Sequence, residues 1–64
     1  MKYVVIGKCD GKKVYWNGNE KGWYCNKEDA TIYKDVNSAD SASIQAECTL
    51  TIDCVDDISF EKIK

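Results

Sequence analysis

Residues Lys12 to Cys25 read KKVYWNGNEKGWYC, and they hold both tryptophans of the chain and two of its four tyrosines, Tyr15 and Tyr24. Tyr3, Tyr33 and Phe60 complete the aromatic set, so most of the large apolar area open to burial lies in or near this stretch. Within it, Lys13-Val14-Tyr15-Trp16 is β-branched and aromatic, and the earlier Tyr3-Val4-Val5-Ile6 matches it. Asp10-Gly11 between the two runs is a tight-turn signal, so the pair predicts a β-hairpin. A two-residue turn groups Tyr3, Val5 and Cys9 with Val14 and Trp16, whereas a three-residue loop with a glycine bulge groups Val4 and Ile6 with them. In either register Val14 and Trp16 share a face and belong to the core.

Working outward, Asn17-Gly18-Asn19-Glu20-Lys21-Gly22 is rich in residues that tolerate positive φ, so it predicts a second turn before a third strand at Trp23-Tyr24-Cys25. Ala30-Thr31-Ile32-Tyr33 reads as a short extended piece ended by Lys34-Asp35. Asn37 or Ser38 then caps a helix whose alanines, Ala39, Ala42 and Ala46, fall three and four apart and let it lie close on a sheet. From Cys48 the alternation of Cys48, Leu50, Ile52 and Cys54 with threonine and aspartate favours a strand. The competing template carries the helix through Leu50 and leaves the last strand to Val55–Ile63. Ile58-Ser59-Phe60 ends the chain as an edge strand or packed tail. The expectation is an α+β fold: one domain over 1–64, a small antiparallel sheet of three to four strands and one packed helix, in the order β-β-β-α-β.

A chain of 64 residues buries only about 60% of its unfolded surface, which leaves little room for a deep catalytic cleft. All nine cations are lysine, with no arginine and no histidine. The missing guanidinium removes the bidentate fork common in phosphate and guanine readers. Without imidazole there is no Ser-His-Asp or Cys-His nucleophile system and no His-ligated zinc. Up to Lys34 seven lysines face four acids (+3), and from Asp35 onward seven acids face two lysines (−5), which sum to the net charge of −2. The opening residues carry too short an apolar run for a signal-peptide core, and no segment reaches membrane-spanning length, so a cytoplasmic protein with no membrane partner is expected.

Four cysteines, Cys9, Cys25, Cys48 and Cys54, allow three disulfide pairings. In a reducing cytosol they read instead as small buried hydrophobes in the thiol form. A zinc knuckle needs a closer pair than Cys48 and Cys54. Asp53, Asp56, Asp57 and Glu61 lack calcium-loop spacing and read as a solvated turn. No metal and no cofactor is expected, and no enzyme.

Tyr3-Val4-Val5-Ile6, Val14-Tyr15-Trp16-Asn17-Gly18, Gly22-Trp23 and Asp29-Ala30-Thr31-Ile32-Tyr33, followed by the Ala39 and Ala42 helix, resemble short uncharacterised proteins common in bacteriophage and prophage genomes. The resemblance covers about two thirds of the chain, up to Ala46, and its motifs are framework rather than chemistry. It implies a host cytoplasm and a small protein that binds and inhibits bacterial machinery.

The functional expectation is therefore a protein-binding module that occupies the surface of a host protein. Trp16 should point inward while Trp23, beside Tyr24 near a loop, should serve as the exposed anchor, aromatics of this kind being common at interface hot spots. Asn19 and Lys21 supply polar contacts, and Asp56 and Asp57 an acidic element that speeds association. The alternatives are a single-stranded nucleic-acid binder that stacks bases on aromatics beside Lys12, Lys13 and Lys21, and a module stapled by zinc or disulfides. An uncovered edge strand would allow a homodimer in any of these cases.

Overall fold

A computed structural model describes residues 2–48 and 55–63. The element order is β1 (Lys2–Cys9), β2 (Lys12–Asn17), β3 (Gly22–Tyr24), a 3-10 turn (Lys27–Asp29), α1 (Val36–Cys48) and β4 (Val55–Ile63). All strand pairs are antiparallel, and the sheet order is β3-β2-β1-β4. The architecture is the expected α+β one.

The register follows from one turn. Asp10 (φ 54°) and Gly11 (φ 81°) both lie in the left-handed region, the geometry of the two-residue hairpin loop whose twist matches that of its strands. Cys9 then stands opposite Lys12, Gly7 opposite Val14 and Ile6 opposite Tyr15. Because side chains alternate, Tyr3, Val5 and Gly7 share a face with Val14 and Trp16, which selects the first of the two predicted groupings. On that face Val5 stands opposite Phe60 and Trp16 opposite Trp23. Val5 and Trp16 are fully buried, and Ala42 and Ala46 of the helix close the cluster, with Trp23, Tyr33, Ile58 and Phe60 packed around it.

Asn17 organises the second turn. Its Oδ1 accepts from the N–H groups of Asn19 and Glu20 at 2.9 Å each, and its Nδ2 donates to the Asp29 carbonyl at 2.7 Å. Past the turn, Thr31 donates its N–H to the Trp16 carbonyl at 3.1 Å, while its Oγ1 accepts from Gly18 N–H at 2.8 Å. Tyr33 and Tyr3 then exchange two backbone bonds of 2.8 Å. The extended piece at 31–33 thus continues beside β1 where β2 leaves off.

The helix begins two or three residues earlier than predicted. Asp35, rather than Asn37 or Ser38, is the cap: its Oδ1 accepts from Ser38 N–H at 2.8 Å, and its carbonyl accepts the first helical bond from Ala39 at 3.2 Å. Ala39, Ala42 and Ala46 are the buried residues of α1, which lies across β1 and β4. Small side chains there leave the space to the indole of Trp16. The helix runs through Cys48, so the strand expected from Cys48 does not begin there, and β4 occupies Val55–Ile63. The alternation at Leu50, Ile52 and Cys54 lies outside the described residues.

β4 carries an irregularity: the pairing shifts between Ile6 and Lys8, and Asp57 takes a φ of 53°. An extra residue on one strand bends it locally, and here it brings Val55 over Gly7. A Cβ at Gly7 would sit 2.5 Å from Val55 Cγ1 and 3.3 Å from two atoms of the Trp23 ring. Gly7→Ala should therefore lower stability by about 1–3 kcal/mol, the usual cost of an overpacked core, read as a shift of the urea midpoint at unchanged m-value.

The bond from Ser38 N–H holds the Asp35 carboxyl below its ordinary range. A depressed carboxylate stabilises the fold above its unfolded pKa and ceases to as pH falls through the folded value. Asp35→Ala should melt below wild type near neutrality, with the gap closing below about pH 4, as followed by far-UV circular dichroism. An equal gap at both pH values would remove the charge from the cap.

Candidate functional site

The expected anchor, Trp23, is part of the core wall. Its ring lies 5.3 Å from that of Trp16, centroid to centroid, at a tilt of 58°. It packs against the buried cluster and reaches to Gly7, and it remains only partly exposed. Tyr24 follows it in the same strand and so points to the other face of the sheet. Trp23 and Tyr24 therefore cannot form one contact surface, because adjacent strand residues diverge.

The remaining predicted residues are also dispersed. Asn19 and Lys21 are exposed in the turn between β2 and β3, where Lys21 adopts a φ of 53°. Asp56 and Asp57 are exposed at the start of β4, the opposite edge and the opposite end of the sheet. Asp56 stands opposite Lys8 on the face that carries Tyr24, three strand spacings or about 14 Å away.

The structure assembles a different group. On the face opposite the helix, Ser59, Ile6, Tyr15 and Tyr24 stand in register across all four strands. Ile6, Tyr15 and Tyr24 are partly exposed, as is Ile63 on the same face, while Val4 beneath is fully buried. Lys13 spans the sheet to Glu61, Nζ to Oε1 2.9 Å and Nζ to Oε2 3.1 Å, and lies 5.8 Å from the Tyr15 ring centre. The hydrogen bond to Glu61 raises the Lys13 pKa, with burial pulling the other way. With Lys13 46% and Glu61 34% exposed, the pair orders the surface more than it stabilises the fold, such pairs being worth about 0.2–1 kcal/mol.

Ile6 has no place in the site expected from sequence; Lys13 and Tyr15 enter only the nucleic-acid alternative, and Glu61 only the set of late carboxylates read as a solvated turn. Their signal was the Asp10-Gly11 turn: a two-residue register puts Ile6 and Tyr15 opposite one another, away from Trp16.

On the helix side an open groove of about 420 Å³ is lined by Tyr33, Asn37, Ser38, Ser41, Ala42 and Gln45, none of them charged. Burial raises the Tyr33 hydroxyl pKa, with the hydrogen bond to Thr31 pulling the other way. Among the described residues the groove offers hydroxyls and amides and no base to activate a nucleophile. Among the described residues no three histidine, cysteine or carboxylate side chains gather as a metal site.

The cysteines differ from expectation. Cys9 is disulfide-bonded, with its partner outside the described residues, while Cys25 and Cys48 are free and exposed rather than buried. Cys9 is partly exposed at the end of β1, beside the Asp10-Gly11 turn. No helix among the described residues is long and apolar enough to cross a membrane. Neither the family models nor the curated proteins nor the solved structures contain a match to this chain.

Trp23→Ala should destabilise the fold by about 2 kcal/mol or more, as removal of a packed aromatic does, whereas Tyr24→Ala should cost less than about 1 kcal/mol. Urea titration of both variants checks this, and equal losses would contradict the assignment of the two rings to different faces.

Proposed function

We propose that the protein is a binding module that acts by occupying a protein surface with its open sheet face, without catalysing a reaction. The observation that supports this reading is the row Ile6, Tyr15, Tyr24, part-exposed and in register on the one sheet face that the helix leaves uncovered. Tyrosine suits such a face because its ring adds contact area while its hydroxyl stays compatible with water before binding. Of the residues named from sequence, Tyr24 stays in the contact group, Asp56 lies at its acidic rim, and Trp23 moves to the core.

The charges on this face favour a protein over nucleic acid. Lys13 is bound to Glu61, and Lys8 stands opposite Asp56. Among the described residues of this face only Lys2, opposite Ile63, has no acid facing it. A surface that holds phosphates needs several cations free to release counterions, and here Lys13 and Lys8 both stand against acids. The resemblance to short phage proteins adds a context, that of a host protein as the target in the bacterial cytoplasm. The disulfide at Cys9 weighs against a reducing compartment, so the target class rests on the face rather than on the compartment.

A photoreactive phenylalanine analogue at Tyr24, in bacterial cells, should yield a discrete protein adduct. The same group at Ile44, exposed on α1, should not, and Tyr15→Ala should weaken the adduct by about tenfold or more, as loss of a hot-spot ring does. Equal labelling from both positions, or a mobility shift of single-stranded DNA that weakens steeply with salt, would replace the reading with a non-specific or a nucleic-acid one.

A further inference from the structure

The flank of α1 beside its alanine stripe is uncharged. Nine residues of the chain are lysine and eleven are acidic, yet the groove that this flank forms with Tyr33 takes in no ionised side chain among the described residues. Spacing explains the separation. Residues four apart share a helix face, so Asn37, Ser41 and Gln45 stack in one row beside Ser38 and Ala42. Asp40 and Glu47 fall on the far side of the helix, next to the exposed Ile44. Asp35, the acid that precedes the helix, is turned back into the cap, where it accepts from Ser38 N–H.

Tyr33 closes the other side of the groove and is held along its whole length. Its backbone exchanges two bonds with Tyr3, its ring packs against the core cluster, and its hydroxyl is hydrogen-bonded to Thr31. A Cβ at Gly18 would come within 2.9 Å of that hydroxyl, so the turn glycine gives the ring room to stand where it does. Ala42 has a second contact as well, since it belongs to the buried cluster that holds Trp16. Packing thus fixes one wall and the floor, and a site fixed in advance loses less freedom on binding.

The chemistry of the lining selects the occupant. Each amide side chain offers two donors and an acceptor, and each hydroxyl offers both roles. Asn37 and Ser41, both exposed, have no side-chain partner among the described residues. An ion would leave water for a site that holds no opposite charge to receive it. An apolar ligand would leave the hydroxyls and amides unpaired. A neutral sugar avoids both costs, because each of its hydroxyls donates and accepts while its ring carbons suit an aromatic wall. The groove, about 420 Å³, lies within the range of small-molecule sites, about 300–1,000 Å³, and matches a mono- or disaccharide.

We propose that this groove binds a neutral saccharide, with Asn37 and Ser41 supplying hydrogen bonds and Tyr33 the wall on which the sugar ring rests. It lies on the helix side of the sheet, away from the tyrosine row, so it stands whether or not that row meets a protein.

Amide NMR spectra of the full chain, titrated with cellobiose, maltose and N,N′-diacetylchitobiose to about 50 mM, test this. At least one of the three should give saturable shifts centred on Tyr33, Asn37, Ser38 and Ser41, with a Kd on the order of 1 mM, as an open site with few hydrogen bonds implies. Asn37→Ala and Ser41→Ala should each weaken binding by about two- to tenfold, the loss of one hydrogen bond, while Ile44→Ala on the far side leaves it unchanged. Both polar positions are exposed and alanine favours a helix, so these variants keep the fold, as the unchanged signals of the sheet verify. No saturable shift with any of the three sugars, or binding that neither variant weakens, overturns the proposal. Equal or tighter binding of a glucose phosphate or of uridine does so too, by making the groove a site for phosphate or for a base.

Discussion

The contact between the indoles of Trp16 and Trp23 is the constraint from which the remaining structure follows. An aromatic ring that buries about 200 Å² contributes on the order of 5 kcal/mol at ~25 cal/mol per Å², against a total of about 5–10 kcal/mol for a small domain. Among the described residues nothing else in the core is comparable, Val4 and Val5 being the only other large side chains that are fully buried. Two indoles on one side of a four-stranded sheet need space above and beside them. The helix provides the first by presenting Ala39, Ala42 and Ala46, and β1 provides the second by placing Gly7 beneath the edge of the Trp23 ring. Trp16 Nε1 is buried with no hydrogen-bond partner among the described residues, a penalty of about 1–3 kcal/mol that the burial of the ring exceeds.

How much of this was legible in the sequence depends on how locally each feature is determined. Asp10-Gly11 specifies its own turn, so the hairpin and the inward Val14 and Trp16 could be read directly, while the choice between two registers, and with it the faces of β1, depends on both turn residues taking positive φ. The alanine spacing revealed a close-packed helix for the same reason. Trp23 could not be placed, because its face depends on the register of β3. That register is set by Asn17 bonding to Asn19, Glu20 and Asp29, a non-local arrangement that leaves no periodic trace. The cap fell to Asp35 rather than Asn37 or Ser38 because Ala39 N–H bonds to the Asp35 carbonyl, which starts the helix at Val36 and fixes Ser38 as the donor. At Cys48 two periodicities overlapped, since Ala42 and Ala46 extend a helical face while threonines suggest a strand, and in the described residues the helical period prevails.

The candidate site was half legible. Tyr24 was named, but with Trp23, its neighbour in sequence, as its companion. The companions the fold supplies are neighbours across strands, Tyr15 and Ile6, and they follow only once the register is known. Sequence proximity misled for a physical reason: in a strand the nearest residues along the chain are the ones that point apart. Lysines concentrate in the first half of the chain and acids in the second, and a globule this small must interleave them: β4 returns beside β1, sets Glu61 against Lys13 and stands Asp56 opposite Lys8. The antiparallel return of the chain turns a polar sequence into a balanced face.

Size then limits what that face can do alone. Four strands about 4.8 Å apart, each presenting some five residues at ~3.4 Å, span roughly 300 Å² in projection. A specific complex needs about 800 Å² per partner, so one open face is too small to hold a protein tightly without its rims and turns.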